Sequence, residues 1–312
     1  MLQKVLLNFI EYRGAIFLGI GCALWCLLSG IFFNGFLLFL AGIPIFYSYF
    51  AYGQQNGWIS TFLATVIISL FFPKVLIADI FLNIFILSAV VAHISLKNIV
   101  SNKKVWWYPE NFLLRDFIIL SSIVLLLMAF SFRTEDSVTK LYEDAVKLIF
   151  NNNNNDILYQ TLVTSTVKSL MKYFLGMTVF FNMITTLFNM QIAYRLVKKY
   201  SKTNIRPAFD GYNLSISNWL AVYPLVVFTL SKIFSAYSYI FCGLFVIGLF
   251  ALMLAGFSFL NFVAKKKRVR NTTKIMLILL LFVFPLQISY LAAFIGIIDS
   301  FYPLREKLFY KN

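Results

Sequence analysis

The residues that could do chemistry are few, and three of them lie in one predicted membrane span. Asp79, Asn83 and His93 interrupt an otherwise apolar run between residues 75 and 96. At about 100° per residue, Asn83 and His93 lie about 40° either side of Asp79 on an α-helix. Ionisable groups inside spans are costly and face a bundle interior or a water-filled cavity. The functional interpretation of the cluster is a proton relay or a substrate-binding face. The structural interpretation is a hydrogen-bonded cluster in the bundle interior, or an Asp79 that lies near the membrane interface beside Lys74.

A second pattern is a line of uncharged polar residues along the predicted span 170–196. Thr178, Asn182, Thr185 and Asn189 recur at intervals of four, three and four residues, which places them on one helix face. Such side chains hydrogen-bond between membrane helices, each pair contributing about 0.6–2 kcal/mol. The stripe therefore predicts either contacts that hold helices together or the lining of a site for a small polar solute. Uncharged groups suit binding better than bond breaking.

An acid, Asp299, ends the last apolar run. A catalytic acid works with a base, a second acid or a metal ligand, and the sequence places none of these beside Asp299. Pro303 stops the helix, and Arg305 follows six residues after the acid. We therefore predict an Asp299–Arg305 ion pair that anchors the tail, with a docking or gating contact as the alternative. Exchanging the two charges is expected to restore what either single substitution loses.

Motifs of several enzyme classes do not occur. The sequence has no G-x-x-x-x-G-K-[ST], no H-E-x-x-H and no G-x-S-x-G. It has one histidine, and Cys22, Cys26 and Cys242 have no further ligand residues close to them in sequence. We expect a protein that is not an enzyme, with no metal site, no cofactor and no nucleotide hydrolysis by this chain alone.

The composition indicates which elements position these residues. Apolar residues make up 61% of the chain and charged residues 12%, and the mean hydropathy is +0.82. A water-facing surface cannot be built from this inventory. We predict an all-α, polytopic transmembrane helical bundle forming a single integral membrane domain over residues 1–312. Nine runs approach the roughly 20 residues that a span needs: 14–33, 35–52, 58–73, 75–96, 115–132, 170–196, 216–234, 237–263 and 273–298. If the third and fourth runs form a re-entrant hairpin, the number of spans is eight.

The net charge of +15 comes from short basic clusters beside the apolar runs. This distribution follows the positive-inside rule and predicts a cytoplasmic N-terminus. No basic face with interleaved aromatic residues lies outside the runs, so we expect no nucleic acid partner. The richness in Lys, Asn, Ile and Phe indicates an AT-rich bacterial genome. The predicted location is therefore the bacterial cytoplasmic (inner) membrane, crossed several times.

One connection, residues 133–169, is long enough to hold an extramembrane element. Within it, residues 136–150 have apolar positions at helical spacing and two i, i+4 acid–base pairs. We predict an amphipathic helix there, followed by an Asn-rich loop at 151–155. The helix is expected to lie on the bilayer or on the bundle, or to dock a partner.

Four stretches occur in an order that resembles the YybS-like family of bacterial membrane proteins, a domain of unknown function (DUF2232). They cover nearly the whole chain: "FLAGIPIFYSYFAYGQQNGW", "VWWYPENFLLRD", "NMQIAYRLVKKYSKTNIRPAFDGYNLSISNWLA" and "GIIDSFYPLREK". Members often have a leucine–proline pair before the tryptophan of the third stretch, where this chain has Ile216-Ser217-Asn218 before Trp219. The matching motif positions, to which the resemblance assigns no role, are Pro44, Trp107, Pro109, Asn189, Arg206, Pro207, Trp219, Asp299 and Arg305.

The resemblance implies a multi-span inner-membrane protein of unknown activity. At the level of the fold it is similar to the substrate-binding subunits of energy-coupling-factor transporters, which depend on separate ATPase and scaffold subunits. The favoured function is a solute-binding or transport component without its own ATPase, whose partners are the lipid bilayer and separate transporter or membrane-protein subunits. The alternative is a membrane scaffold that organises partners through residues 136–150 and the basic loops.

Overall fold

The part of the chain that the structure describes is helical, with one small β-hairpin. A computed structural model describes residues 2–31, 39–71, 81–101, 104–131, 157–201, 214–267, 285–302 and 304–305. Its helices are α1 (Leu2–Ile31), α2 (Gly42–Tyr52), α3 (Gln54–Phe71), α4 (Leu87–Ser95), α5 (Glu110–Ser131), α6 (Ile157–Tyr200), α7 (Asn218–Ile233), α8 (Ser238–Lys266) and α9 (Pro285–Phe301). A π-helical segment, Phe81–Ile86, leads into α4, and a 3₁₀ turn, Ser235–Tyr237, precedes α8.

Four helical stretches are long and apolar enough to cross a membrane. Within the described residues they are Tyr12–Ser29, Glu110–Phe130, Lys172–Tyr200 and Ser238–Lys266. Shorter apolar helices cover Ile84–Ser95, Asn218–Ile233 and Gln287–Phe301. The all-α prediction is therefore confirmed, whereas the predicted eight or nine spans exceed the four long helices. The predicted second span, 35–52, retains only the 11 residues of α2 as described helix, fewer than a perpendicular crossing needs.

The chain divides into two compact units. Unit 1 comprises Met1–Leu120 and Phe181–Asp210, and unit 2 comprises Ser121–Phe180 and Gly211–Asn312. Helices α5 and α6 each contribute residues to both units.

Unit 1 is built around the α2–α3 pair, which one glycine joins. Gly53 has a φ of 86°, a left-handed conformation that glycine adopts without steric cost. Its N–H closes α2 on the carbonyl of Tyr49, while its own carbonyl accepts the N–H of Gly57 in α3. The connection between α2 and α3 is therefore a single residue. Helix α1 lies against α3, where the backbone of Gly19 approaches that of Ser60 so closely that a side chain would not fit.

The β-hairpin follows α4 and leads into α5. Strands β1 (Asn98–Ser101) and β2 (Lys104–Trp107) are antiparallel, with Ile99 opposite Trp106. Its base is closed by the N–H of Tyr108, which donates to the carbonyl of Lys97. The hairpin was not predicted: the sequence indicated a membrane helix as far as residue 96 and no regular structure between that helix and the next span.

Unit 2 is organised by the close packing of α8 against α9. Gly256 on α8 lies on the backbone of Ala292, and Gly296 on α9 lies on the backbone of Leu252, each without room for a Cβ atom. The two positions on each helix are four residues apart, the spacing of a small-residue membrane crossing. The contact therefore depends on glycine at one position of each helix.

Candidate functional site

The candidate site in unit 1 is centred on the buried amide of Asn189 in α6. Its side chain is 1% exposed. Its Nδ2 donates to the carbonyl oxygen of Phe39 over 2.7 Å, which links α6 to the segment just before α2. Its Oδ1 is buried as well, and no described residue donates a hydrogen bond to it. An unpaired buried acceptor costs about 1–3 kcal/mol, so this oxygen is a place where a donor would be bound.

Two further residues surround the same amide. A Cβ atom added to Gly42 would lie 2.7 Å from the Nδ2 of Asn189 and 2.9 Å from the hydroxyl oxygen of Ser88. Both polar groups therefore lie over the bare Cα of Gly42, at the first residue of α2. Ser88, in the first turn of α4, is 1% exposed. We call Phe39, Gly42, Ser88 and Asn189 the Asn189 cluster.

The Asn189 cluster is polar but carries no charge. It combines a carboxamide, a hydroxyl and a backbone carbonyl contributed by three separate parts of unit 1. Because Nδ2 is already used by Phe39, the orientation of the amide is fixed and Oδ1 remains as an acceptor. Such an arrangement can hold a neutral hydrogen-bond donor, and none of the four residues of the cluster is a base that could activate the Ser88 hydroxyl as a nucleophile.

The other members of the predicted stripe have different surroundings. The hydroxyl of Thr178 donates to the carbonyl of Phe174, and that of Thr185 donates to Phe181, each one turn earlier in the same helix. Both threonines are therefore satisfied within α6 and link no second helix through these bonds. Asn182 is half-buried, and its backbone carbonyl accepts a hydrogen bond from the hydroxyl of Thr186, one turn later in the helix.

The stripe is also divided between the two units. Thr178 belongs to unit 2, and Asn182, Thr185 and Asn189 belong to unit 1. Of the four, Asn189 is the fully buried one, and its side chain donates a hydrogen bond to a distant segment. The structure therefore concentrates the binding features of the stripe at one residue.

His93 lies at the end of α4 and contacts two residues of α3. The indole Nε1 of Trp58 donates to its Nδ1 over 3.3 Å, and the amide of Gln54 donates to its backbone carbonyl over 3.2 Å. The rings of Trp58 and His93 lie 6.1 Å apart. His93 thus joins α4 to the start of α3, and Nδ1 serves there as an acceptor.

The structure does not test whether the two residues predicted to share a face with His93 lie beside it. Asp79 lies outside the described residues. Asn83 lies in the π-helical segment, and its side chain is not described. A π-helix has a wider turn than an α-helix, so the angular spacing expected for a regular helix does not apply between residues 83 and 93.

Asp299 and Arg305 form an ion pair in unit 2. The guanidinium Nε lies 3.0 Å from Oδ2 of Asp299, and the side chains are 13% and 5% exposed for Arg305 and Asp299 respectively. Arg305 Nη2 also donates to the carbonyl of Leu214 over 2.7 Å and lies 3.4 Å from the hydroxyl of Ser258. Ser258 in turn accepts the N–H of Leu214. Arg305 therefore ties the end of α9 to α8 and to the segment before α7.

Several of these contacts were not predicted. Gly42, Ser88, Trp58 and Gln54 belong to segments that are far from their partners in sequence. A serine in an apolar run and a glycine at a helix start are common, so neither marks a site by itself. The pairing of Leu214 and Ser258 with Arg305 likewise depends on tertiary contacts across 91 and 47 residues.

A metal site has no support in the described part of the chain. Among those residues, no group of three His, Cys, Asp or Glu side chains could hold an ion. Cys22 and Cys26 are fully buried in α1, and the thiol of Cys22 donates to the carbonyl of Ala41 over 3.1 Å.

Comparison with known proteins gives one match. A family model described as "Predicted membrane protein (DUF2232)" matches residues 23–300, which is most of the chain. No curated protein and no solved structure matches.

Proposed function

We propose that this chain, which belongs to the DUF2232 family of predicted membrane proteins, binds a small polar solute at the Asn189 cluster as a component of a membrane transport system. The proposal includes the finer features expected from the sequence: eight or nine spans, a bacterial cytoplasmic membrane and a cytoplasmic N-terminus. The kinship with YybS-like proteins, and with substrate-binding subunits of energy-coupling-factor transporters, belongs to the same proposal.

The observation that carries the proposal is the unpaired Oδ1 of Asn189. A buried carbonyl oxygen without a donor is unfavourable, and such groups are rare enough in native proteins that each calls for an explanation, of which a bound ligand is one. A solute with an N–H or O–H group would supply the missing hydrogen bond. The cluster offers no cation for an anionic solute and no carboxylate for a cationic one, so the favoured class is neutral, such as a nucleobase or an amide-bearing vitamin.

Each residue of the cluster has a distinct part in this proposal. The carbonyl of Phe39 fixes the Asn189 amide, so that Oδ1 is oriented before the solute arrives. The hydroxyl of Ser88 is able to donate to the solute or accept from it. Gly42 keeps free the space that a side chain would fill. Preorganisation of this kind lowers the entropic cost of binding.

The proposed role in transport requires an energy source outside this chain. The sequence has no nucleotide-binding motif of the G-x-x-x-x-G-K-[ST] type, so ATP hydrolysis would come from separate subunits. The scaffold alternative depends on residues 136–150, which lie outside the described residues. Binding is therefore the function for which the structure offers specific residues.

A thermal-shift screen of the purified protein tests the proposal. The panel contains vitamins, nucleobases and metal ions, in detergent at a fixed protein concentration. A ligand that binds only the folded protein at 100 times its Kd stabilises it by about 2.7 kcal/mol. Stabilisation by a neutral donor supports the proposal, whereas stabilisation by a metal ion alone would contradict it.

A further inference from the structure

The β-hairpin carries a second inference, independent of the Asn189 cluster. Ile99 is 72% exposed, Val105 50% and Trp106 63%. Ile99 and Trp106 are directly opposite each other across the two strands and therefore share one face. These two exposed side chains form an apolar surface whose contact with water is unfavourable.

The hairpin is connected by hydrogen bonds to the start of α5, a helix apolar enough to span a membrane. Tyr108 makes the connection, because its N–H donates to Lys97 and its hydroxyl donates to the carboxylate of Asp116 in α5. Arg115 is 2.8 Å from the other oxygen of Asp116 and lies over the ring of Phe112. These bonds place the hairpin at the N-terminal end of α5.

The backbone of the hairpin decides between hydrocarbon and headgroups. Its sheet has two strands in the described residues, so each strand has an outer edge whose N–H and C=O groups pair with no third strand. Unpaired backbone groups are not tolerated in the hydrocarbon region of a bilayer. Tryptophan, by contrast, is enriched in the headgroup region, where an apolar ring and a polar environment meet.

The charge of the hairpin indicates which lipids it contacts. Lys97 is exposed at its start, β2 begins with Lys104, and Lys103 precedes it in the sequence. Between Lys97 and Trp107 there is no acidic residue. Anionic headgroups attract such basic segments.

We propose that this hairpin is a membrane-surface anchor that inserts Ile99 and Trp106 among anionic lipid headgroups. It holds the connection between α4 and α5 on the bilayer. The partner is the lipid surface itself and not a second protein strand paired with the open edges.

Fluorescence quenching in lipid nanodiscs tests the position of Trp106. The chain has five tryptophans, so the signal of Trp106 is the difference between the wild type and Trp106→Phe. We expect quenching of this difference by a headgroup-labelled phosphatidylcholine and little quenching by iodide. Quenching by iodide alone would place the hairpin in water and overturn the proposal. Quenching by neither agent would mean that a second copy or another protein covers it, and would overturn it equally.

Thermal unfolding with added lipid tests the charge preference. Phosphatidylglycerol is expected to raise the Tm more than phosphatidylcholine, and Lys97→Gln with Lys104→Gln should lower that difference by half or more. Ile99→Ser is expected to reduce the increase in Tm that phosphatidylglycerol produces. Leu70→Ser is its matched control, since Leu70 is 75% exposed at the end of α3, outside the hairpin. Equal shifts with both lipids, or an equal loss in Leu70→Ser, would contradict the anchor.

Discussion

Nδ2 of Asn189 donates to the backbone carbonyl of Phe39, 150 residues earlier in the chain, while Oδ1 of the same side chain receives no hydrogen bond from the described residues. The same side chain thus combines a structural contact with a free acceptor. A substitution at this position should therefore affect both stability and binding.

Asn189→Leu is expected to lower the free energy of unfolding by about 0.5–1.5 kcal/mol, because the carbonyl of the partly exposed Phe39 loses its donor. Removing the unpaired Oδ1 offsets part of that loss. Thr185→Val is the control, since the hydroxyl of Thr185 is bonded within its own helix. Chemical denaturation in detergent measures both variants. Equal stability of the two variants would mean that the Asn189–Phe39 bond contributes nothing measurable.

The sequence predicts the polar stripe on α6, but it does not distinguish Asn189 from Thr178 or Thr185. Threonine in a helix can satisfy its hydroxyl on the preceding turn, a local choice that leaves no trace in the spacing of residues. Whether an asparagine finds a partner instead depends on a segment far away in the chain. The spacing therefore indicates the helix face, and only the tertiary structure identifies the residue.

His93 is predicted to be the Nε2–H tautomer when neutral, because its Nδ1 accepts a hydrogen bond from Trp58. It is the one histidine of the chain, so its ring nitrogens need no assignment among several residues. Nitrogen-15 NMR of histidine-labelled protein measures the tautomer of the neutral ring directly. Trp58→Phe should shift the Nδ1 resonance, and a proton found on Nδ1 in the wild type would exclude the bond.

The crossing of α8 and α9 should be sensitive to one added methyl group. Gly256→Ala places a Cβ atom on the backbone of Ala292, so the helices must separate, at a cost of about 1–3 kcal/mol. Gly21→Ala is the matched control, because an added Cβ there meets nothing within 4 Å. Alanine is the better helix former, so the control should be neutral or more stable. Thermal unfolding measures the Tm of both variants. A Tm of Gly256→Ala equal to that of Gly21→Ala would contradict the close contact between α8 and α9.

Arg305 is expected to matter more than its partner. Arg305→Gln removes the ion pair and the donor to the carbonyl of Leu214, which should cost about 3–5 kcal/mol, as for other buried pairs that lose one member. Asp299→Asn leaves the Leu214 contact intact and should cost less. Thermal unfolding ranks the two variants, and the opposite order would contradict this arrangement.

The charge exchange expected from the sequence needs revision in one respect. Asp299→Arg with Arg305→Asp restores an ion pair, but an aspartate at position 305 has no N–H to donate to Leu214. We therefore expect partial recovery of the Tm relative to the single variants, and full recovery would mean that the Leu214 contact is unimportant.

The hairpin and the π-helical segment show where prediction from the sequence ends. An apolar run of residues 75–96 fits a continuous α-helix, and nothing in its composition marks the π turn at Phe81–Ile86. The strands of the hairpin have four residues each, too short for an alternating pattern to stand out. Gly256 and Gly296 are visible in the sequence, but which helices they bring together follows only from the packing.

The central claim is that a neutral solute binds at Oδ1 of Asn189, and its most direct test is the ligand-induced Tm shift in matched variants. A ligand found in the screen should bind Asn189→Leu at least about tenfold more weakly, the equivalent of one lost hydrogen bond. Thr185→Val should keep the full shift, and Ser88→Ala serves as a milder variant if Asn189→Leu does not fold. The claim predicts loss at Asn189 and retention at Thr185. A blank across the whole panel, or a shift that survives in Asn189→Leu and Ser88→Ala, would contradict it.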